Sequence, residues 1–194
     1  EIWVLADRRL ASGEELYHED QPLFRIAERA NERYRLTPLV APAKLEQIFE
    51  THGQTPLPPY LKHSPLSEAA RRQEYQSVLA KVPGSVAAPT ASLHFTPELL
   101  KRLTQAGHTT NTLTLHVGLG TFAPLRAEQL TSGKLHTEHY HLSPSTADHL
   151  TAAKHAHRPI IAVGTTVARA LESAWENETL VAGPRQTNIF IKPP

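Results

Sequence analysis

The sequence has no cysteine and no methionine among its 194 residues. Without cysteine, disulfide bonds, thiolate nucleophiles and cysteine-ligated zinc are all excluded. No stretch approaches the roughly 18 consecutive apolar residues that a transmembrane helix needs. We therefore expect a cytoplasmic protein with no membrane partner.

An excess of charge is also missing, because 20 basic and 19 acidic residues leave a formal net charge of +1. Proteins that bind nucleic acid through bulk electrostatics usually carry a larger positive charge. A local basic cluster exists at Arg25, Arg29, Arg33 and Arg35. Such a cluster is usually a solvated face, although contacts to an RNA backbone also require basic side chains.

The composition, with 40% hydrophobic and 20% charged residues, is that of a globular protein. The length allows one core, or one domain and part of another. The chain opens on a strand-like run and stops directly after a second one at 188–191. We therefore expect it to be a piece of a longer protein.

Residues 1–40 have the pattern of a β-rich segment. Short apolar runs separated by polar turns predict strands at Trp3–Leu5, Leu23–Ala27 and Tyr34–Val40. A helix is predicted over Ala43–Thr51, ended by Gly53. Residues 41–60 are therefore interpreted as this helix followed by a proline-rich extended connector.

Strand and helix patterns alternate in residues 61–194. Strands are predicted at Leu113–Val117, Leu135–Leu142 and, buried, at Pro159–Val163. Helices are predicted to begin at Pro97 after the cap Thr96, near Ser145, and at Thr166, the last ending at Glu176. This alternation predicts an α/β fold, a mixed sheet with flanking helices.

The run Ile160–Thr166 predicts a strand that feeds a helix through a glycine turn. The free N–H groups and the dipole of such a helix start suit a carboxylate, a phosphate or a ribose hydroxyl. Arg169 and Glu172 fall together on one face of that helix. The simpler alternative is a threonine cap and a surface ion pair worth a few tenths of a kcal/mol.

Two further segments combine small residues with histidine. His116–Phe122 has two glycines after a strand, but it is not a dinucleotide fingerprint, because Pro124 prevents an immediate helix. Its glycines allow either close approach to a ligand or a simple corner. Ala88–Thr96 ends in a helix cap beside His94, which is either a proton donor or a structural histidine.

The strand at residues 135–142 is rich in histidine. Alternation places His136, Glu138 and Tyr140 on one face, and His139 and His141 on the other. A metal held by the second pair requires a third ligand that has no clear spacing in the sequence. Surface histidines are the more ordinary interpretation.

Four segments carry a resemblance to a known family. They read YQ-x-V-x-AK followed by GSVAAPTA-x-LHFT (first motif, 75–96), LHVGLGTF (second, 115–122), LHTEHY (third, 135–140) and IIAVGTT-x-x-R-x-LES (fourth, 160–173). Together they resemble the S-adenosylmethionine:tRNA ribosyltransferase-isomerases of queuosine biosynthesis, in order, over about Leu57–Ile191. The family more often has glycine where this chain has Ser92.

The resemblance implies an organisation and a reaction. Residues 1–40 would be the remnant of an inserted small β-barrel domain, and residues 61–194 the α/β catalytic domain. The reaction transfers the ribosyl moiety of S-adenosylmethionine onto 7-aminomethyl-7-deazaguanine at the tRNA wobble position, giving epoxyqueuosine, adenine and methionine. S-adenosylmethionine is then a co-substrate, no metal or other cofactor is needed, the partner is tRNA, and we expect a monomer.

The resemblance also implies site residues. The candidates for proton transfer are His136 with Glu138, and His94 and His116. The remaining candidates would bind substrate, through aromatic faces, glycine turns and the fourth motif: Pro89, Thr90, Phe95, Gly118, Gly120, Thr121, Phe122, Tyr140, Gly164, Thr165, Thr166, Arg169 and Glu172. The methionine carboxylate calls for an arginine or a helix start, which Arg169 and Thr165–Thr166 offer. Two alternatives stay open: a catalytically silent relative that binds RNA or a nucleoside, and an interaction module with a metal.

Overall fold

The computed structural model of the chain describes residues 2–30, 33–58, 61, 63–85, 87–118 and 127–192. The chain divides into two compact units, residues 1–54 and residues 55–194. Each unit has a separate cluster of buried apolar side chains. Among the described residues, no helix has both the length and the apolar character that a membrane span requires.

The first unit is built on a four-stranded antiparallel sheet in the order β1–β4–β3–β2. Its strands are β1 (Ile2–Leu5), β2 (Glu15–His18), β3 (Gln21–Ala30) and β4 (Arg33–Pro38). The three predicted strands are confirmed. β2 is the strand that the pattern did not reveal, since it is short and half polar. The origin of this unit in an inserted barrel stays a prediction.

Helix α1 (Pro42–His52) completes the first unit, as predicted. Its Leu45 belongs to the same buried cluster as Ile26, which is 1% exposed. Gly53 ends the helix, and its N–H donates to the Phe49 carbonyl at 2.9 Å. A Cβ at Gly53 would lie 2.3 Å from that carbonyl oxygen, so only glycine fits this close approach.

The second unit contains five helices, a short 3₁₀-helix and five strands over the described residues. The helices are α2 (Glu68–Glu74), the 3₁₀-helix Thr90–His94, α3 (Pro97–Gln105), α4 (Ala127–Ser132), α5 (Pro144–His155) and α6 (Thr165–Ala174). The strands are β5 (Thr114–His116), β6 (Lys134–Leu142), β7 (Trp175–Glu176), β8 (Thr179–Leu180) and β9 (Gly183–Ile189). Thr96 caps α3 as predicted, whereas Ser143 rather than Ser145 caps α5.

Strands β5, β6 and β9 form an antiparallel sheet in that order, and β7 pairs with β8 in a hairpin. The expected mixed sheet is therefore wrong for the described residues, in which every strand pairing is antiparallel. The combination of helices and strands was predicted correctly. The alternation of elements did not determine strand direction, because direction depends on which strands become neighbours.

The predicted buried strand at Pro159–Val163 is also wrong. This segment forms no ladder with any described residue, and Ile161 is 85% exposed. β-branched residues favour an extended backbone, but a strand is stabilised by cross-strand neighbours that this run does not meet here. The end of the last predicted helix changes too, because Trp175–Glu176 turn back through Asn177 and Glu178, both with positive φ, as a two-residue hairpin requires.

Helix α6 packs against β6 and β9 through small side chains. Ala170 and Ala174 are fully buried, as is Leu142 of β6. Alanine at these positions allows the helix backbone to lie close to the sheet. This close approach is what brings the fourth motif, on α6, against the third motif, on β6.

Candidate active site

A buried ion pair joins the third and fourth motifs. Arg169 of α6 donates through Nη1 to Oε2 of Glu138 in β6 at 2.7 Å. The two side chains are only 9% and 6% exposed. Burial of a charge costs several kcal/mol unless a partner compensates it, so each member makes the other tolerable.

The same guanidinium makes two further hydrogen bonds. Nε of Arg169 donates to the carbonyl of Ile189 in β9 at 2.8 Å, and Nη2 donates to the carbonyl of His136 at 3.3 Å. One side chain of α6 is therefore bonded to both neighbouring strands. It reaches two of the predicted catalytic residues, Glu138 through its carboxylate and His136 through its backbone.

Strand β6 has an irregularity at this point. Lys134 lies opposite Ile189 and Glu138 lies opposite Thr187, so Leu135, His136 and Thr137 all face Asn188 alone. Extra residues of this kind form a β-bulge, which redirects side chains and is frequent near active sites. His136 is the middle residue of the bulge and is exposed to solvent.

The predicted alternation of the histidine-rich strand is confirmed beyond the bulge. Glu138 and Tyr140 are buried, whereas His139 and His141 are exposed. His136 departs from the buried set, because the bulge interrupts the regular alternation before Glu138. No three histidine, aspartate or glutamate side chains come together as metal ligands in the described part of the chain.

The first and second motifs meet at Gly84 and Ser85. The Ser85 hydroxyl accepts a hydrogen bond from the N–H of Val117 at 2.9 Å. A Cβ at Gly84 would lie 3.0 Å from Nδ1 of His116, so the imidazole rests against the glycine backbone. Gly84 also has φ +127, a conformation that side chains with a Cβ rarely adopt.

The first motif also meets the start of α6. Gly164, with φ +101, would place a Cβ 3.7 Å from that of Ala91 in the 3₁₀-helix. The N-cap residue of α6 is Gly164, so that position offers no capping side chain to the first N–H groups at Thr165 and Thr166. These groups and the helix dipole are available to an anion.

The sheet separates the predicted catalytic residues. His116 of β5 lies directly opposite His139 of β6, and residues that pair in this way share a face. His139 faces away from Glu138, because successive residues of a strand alternate between faces. His116 therefore lies on the face opposite to the Arg169–Glu138 pair, beside Gly84.

Tyr140 is 2% exposed, and burial raises the pKa of its hydroxyl. The nearby Arg185 guanidinium and a neighbouring carboxylate, Glu176, act on the pKa in opposite directions and are smaller influences than burial. The hydroxyl meets no partner at full hydrogen-bonding geometry among the described residues, although Arg185 lies close enough to lower the pKa as a weak donor as well as through its charge. The aromatic ring packs in the core of the second unit, so its predicted contact with a sulfonium stays a prediction.

The other predicted binding residues differ in exposure. Five predicted site residues are exposed to solvent: Thr90, His94, Gly118, Thr165 and Glu172. Pro89, Phe95, Gly164 and Thr166 are half-buried. Gly120, Thr121 and Phe122 of the second motif lie outside the described residues.

Several contacts around the site were not predicted. Thr187 of β9 is 2% exposed, faces Glu138 across the sheet, and its hydroxyl lies 2.5 Å from that of Ser173 in the fourth motif. The only sequence feature that pointed to the Ser173–Thr187 contact was the position of Ser173 within the fourth motif. Two open depressions of about 450 and 420 Å³ lie on the first unit, and their described lining residues all belong to that unit.

Comparison with known proteins links the whole chain to one family. A family model described as "Queuosine biosynthesis protein" matches residues 1–194. A relative from Anaeromyxobacter dehalogenans is 46% identical over 160 residues, which are 82% of this chain and 46% of the relative. A relative from Treponema denticola is 48% identical over 76% of this chain and 43% of its own length.

A third relative, from Acaryochloris marina, is 42% identical over 98% of this chain and 52% of its own length. All three relatives bear the name S-adenosylmethionine:tRNA ribosyltransferase-isomerase. The chain therefore spans about half the length of the curated relatives it matches.

Proposed function

This chain belongs to the queuosine biosynthesis protein family, and we propose that it carries part of the active site of an S-adenosylmethionine:tRNA ribosyltransferase-isomerase. The observation that supports this most directly is the buried Arg169–Glu138 pair with its bond to His136. The pair joins the third and fourth motifs through two charged side chains, whereas a purely structural core is usually built from apolar side chains. The names of the relatives indicate the same reaction class.

The proposed substrates are S-adenosylmethionine and a tRNA with 7-aminomethyl-7-deazaguanine at the wobble position. A base removes the proton from the ribose carbon beside the sulfonium, and adenine leaves. The amine of the modified base then attacks the sugar, and an epoxide closes as methionine departs. This sequence needs one group that accepts a proton and one that donates a proton to adenine, both with pKa values near neutrality.

His136 is the proposed base. Its imidazole is exposed on the bulge, where a ligand can reach it, and its backbone is anchored by Arg169. Glu138 supports this arrangement through its buried ion pair. His94 is the preferred acid for adenine, since its 3₁₀-helix contacts the start of α6 through Ala91, whereas His116 lies on the opposite face of the sheet.

The methionine carboxylate is proposed to bind at the amino end of α6. Gly164 at the N-cap offers no side chain to the N–H groups of Thr165 and Thr166, and the helix dipole favours a negative charge. Glycine at position 164 lets a ligand approach the backbone closely. The fourth motif thus supplies a binding group at its start and a structural ion pair one turn later.

The decisive experiment measures adenine release by the protein that contains this chain. It is incubated with S-adenosylmethionine and tRNA carrying the aminomethyl base, and adenine is quantified by chromatography. We expect release that matches the amount of modified tRNA, and none with tRNA that lacks the aminomethyl group. If an active relative releases adenine under the same conditions and this protein binds tRNA without releasing it, the protein is the catalytically silent relative instead.

A further inference from the structure

We propose that Arg169 is a positioning residue, which holds the β-bulge of β6 in the conformation that presents His136 to a ligand. The inference rests on the proposed function, because it concerns the residue assigned there as the base. The resemblance offers Arg169, or the start of α6, as the group that binds the methionine carboxylate. The contacts of its guanidinium support a different role.

The bulge leaves backbone carbonyls without a partner in the strand ladder, and Arg169 donates a hydrogen bond to one of them. Three consecutive residues of β6 face Asn188 alone, so their backbone groups cannot all enter the ladder with β9. Backbone carbonyls that leave a ladder require another donor unless water reaches them. The His136 carbonyl, in the middle of the bulge, accepts its hydrogen bond from Nη2 of Arg169.

The same guanidinium also holds both ends of the bulge. Nε donates to Ile189, which pairs with Lys134 just before the bulge. Nη1 donates to Glu138, the residue at which regular pairing resumes. Because a guanidinium is planar and rigid, these three bonds fix the two ends of the bulge and its centre relative to one another.

The burial of Arg169 argues against direct contact with substrate. The residue is 7% exposed, and Nε and both Nη atoms already donate to protein acceptors. These bonds use three of the five N–H donors, so a carboxylate ligand would have to reach the two remaining N–H groups of a nearly buried guanidinium, or displace a bond and leave a buried acceptor unpaired. The N–H groups at the start of α6, to which the N-cap residue Gly164 offers no side chain, carry no such cost.

The test replaces Arg169 by lysine in the protein that contains this chain. Lysine keeps the positive charge, but one ammonium group cannot reach all three acceptors in the geometry of the fork. The matched control is Arg72→Lys, since Arg72 is also paired with a glutamate, Glu68, at 3.3 Å on the surface. The measurements are kcat, KM for S-adenosylmethionine and the thermal midpoint.

We expect Arg169→Lys to lower kcat by about ten-fold or more and to change KM for S-adenosylmethionine by less than about three-fold. The control should retain both constants. A ten-fold rise in KM with unchanged kcat would return Arg169 to the role of a carboxylate ligand. If kcat of Arg169→Lys is low only at temperatures at which the variant unfolds, and equals the wild-type kcat at lower temperatures, Arg169 is merely structural.

A second readout does not depend on turnover. The ring signals of His136 are followed by NMR and assigned by their loss in His136→Gln. In folded Arg169→Lys they should shift and broaden, while those of His139 and His141 on the other face of β6 stay in place. Unchanged His136 signals overturn the inference. If the wild type releases no adenine, the proposed function fails, and this comparison still decides the role of Arg169.

A second variant covers the case in which Arg169→Lys does not fold. Arg169→Met combined with Glu138→Leu removes the pair without leaving a buried charge, an exchange that proteins often tolerate. The same NMR comparison is then made with this double variant. Altered His136 signals support the positioning role, and signals identical to the wild type contradict it.

Discussion

Gly84 lies directly against the imidazole of His116, so that a methyl group at position 84 would approach Nδ1 to 3.0 Å and Cε1 to 3.1 Å. This contact joins residues 32 positions apart, and Ser85 joins the same two segments through the N–H of Val117. The first motif is therefore shaped by its fit to the second. Any side chain at position 84 must displace the histidine ring or the backbone.

The first prediction concerns this contact. Gly84→Ala should lower the free energy of unfolding by about 2 kcal/mol, through the strain of a positive φ and the collision with His116. Urea unfolding measures the loss. The control is Gly107→Ala, because Gly107 also has positive φ, but among the described residues beyond its two chain neighbours no atom would lie within 4 Å of its added Cβ.

The two causes can be separated by a second substitution. Adding His116→Ala to Gly84→Ala should recover the part of the loss that exceeds the Gly107→Ala control, since the ring is then gone. If Gly84→Ala costs no more than Gly107→Ala, the glycine is needed only for its backbone conformation.

The second prediction concerns His136. His136→Ala should lower kcat for adenine release by about 100-fold or more, because proton transfer by a positioned side chain contributes roughly this much. The thermal midpoint should change little, since the imidazole is exposed. His141→Ala is the control, an exposed histidine on the other face of the same strand, and it should retain activity. A large drop in thermal midpoint for His136→Ala would make this histidine structural.

The third prediction concerns the buried hydroxyl of Tyr140. Tyr140→Phe removes a hydroxyl whose contact with Arg185 falls short of full hydrogen-bonding geometry, so at neutral pH the free energy of unfolding should stay within about 0.5 kcal/mol or rise. Tyr34→Phe is the contrasting variant. The Tyr34 hydroxyl accepts a hydrogen bond from the Leu10 N–H at 3.2 Å, so its loss should cost about 1 kcal/mol.

The pH dependence of the same variant has a definite sign. Burial raises the pKa of Tyr140 in the folded protein above the unfolded value of about 10. Its contribution to stability is therefore fully present below about pH 10 and is lost as pH rises through the folded pKa. Urea unfolding at pH 8 and pH 10.5 should show the wild type losing more stability than Tyr140→Phe. Parallel losses would mean that Tyr140 does not titrate differently in the two states.

Elements with local causes were predicted well from the sequence. Helix α3 follows from Thr96, Pro97 and its leucines, and α1 ends where Gly53 allows the chain to approach Phe49. The hydrogen bonds that begin and end these helices join residues only three or four positions apart in the chain. The resemblance to the queuosine family likewise depended on short runs of sequence, and the family match over the whole chain confirms it.

Elements that depend on distant partners were not predicted. Pro159–Val163 has the residues of a buried strand, yet it pairs with no described strand. Strand direction, the bulge in β6 and the separation of His116 from Glu138 by the sheet all depend on which strands become neighbours. Alternation predicted the faces of β6 correctly only from Glu138 onward, because the bulge before Glu138 interrupts the regular change of face from one residue to the next.

The amino-acid sequence by itself determined the family, the local helices and strands, and the set of chemically active side chains. Only the tertiary structure decided which groups Arg169 contacts, since its three acceptors lie between 20 and 33 positions away in the chain. A side chain that the resemblance offers as a ligand for substrate donates to two backbone carbonyls and one carboxylate of its own protein. The physical reason is that a hydrogen-bond donor bonds to the acceptor that lies beside it in the folded protein. Which acceptor lies there depends on the packing of helices and strands, and not on the spacing of residues in the sequence.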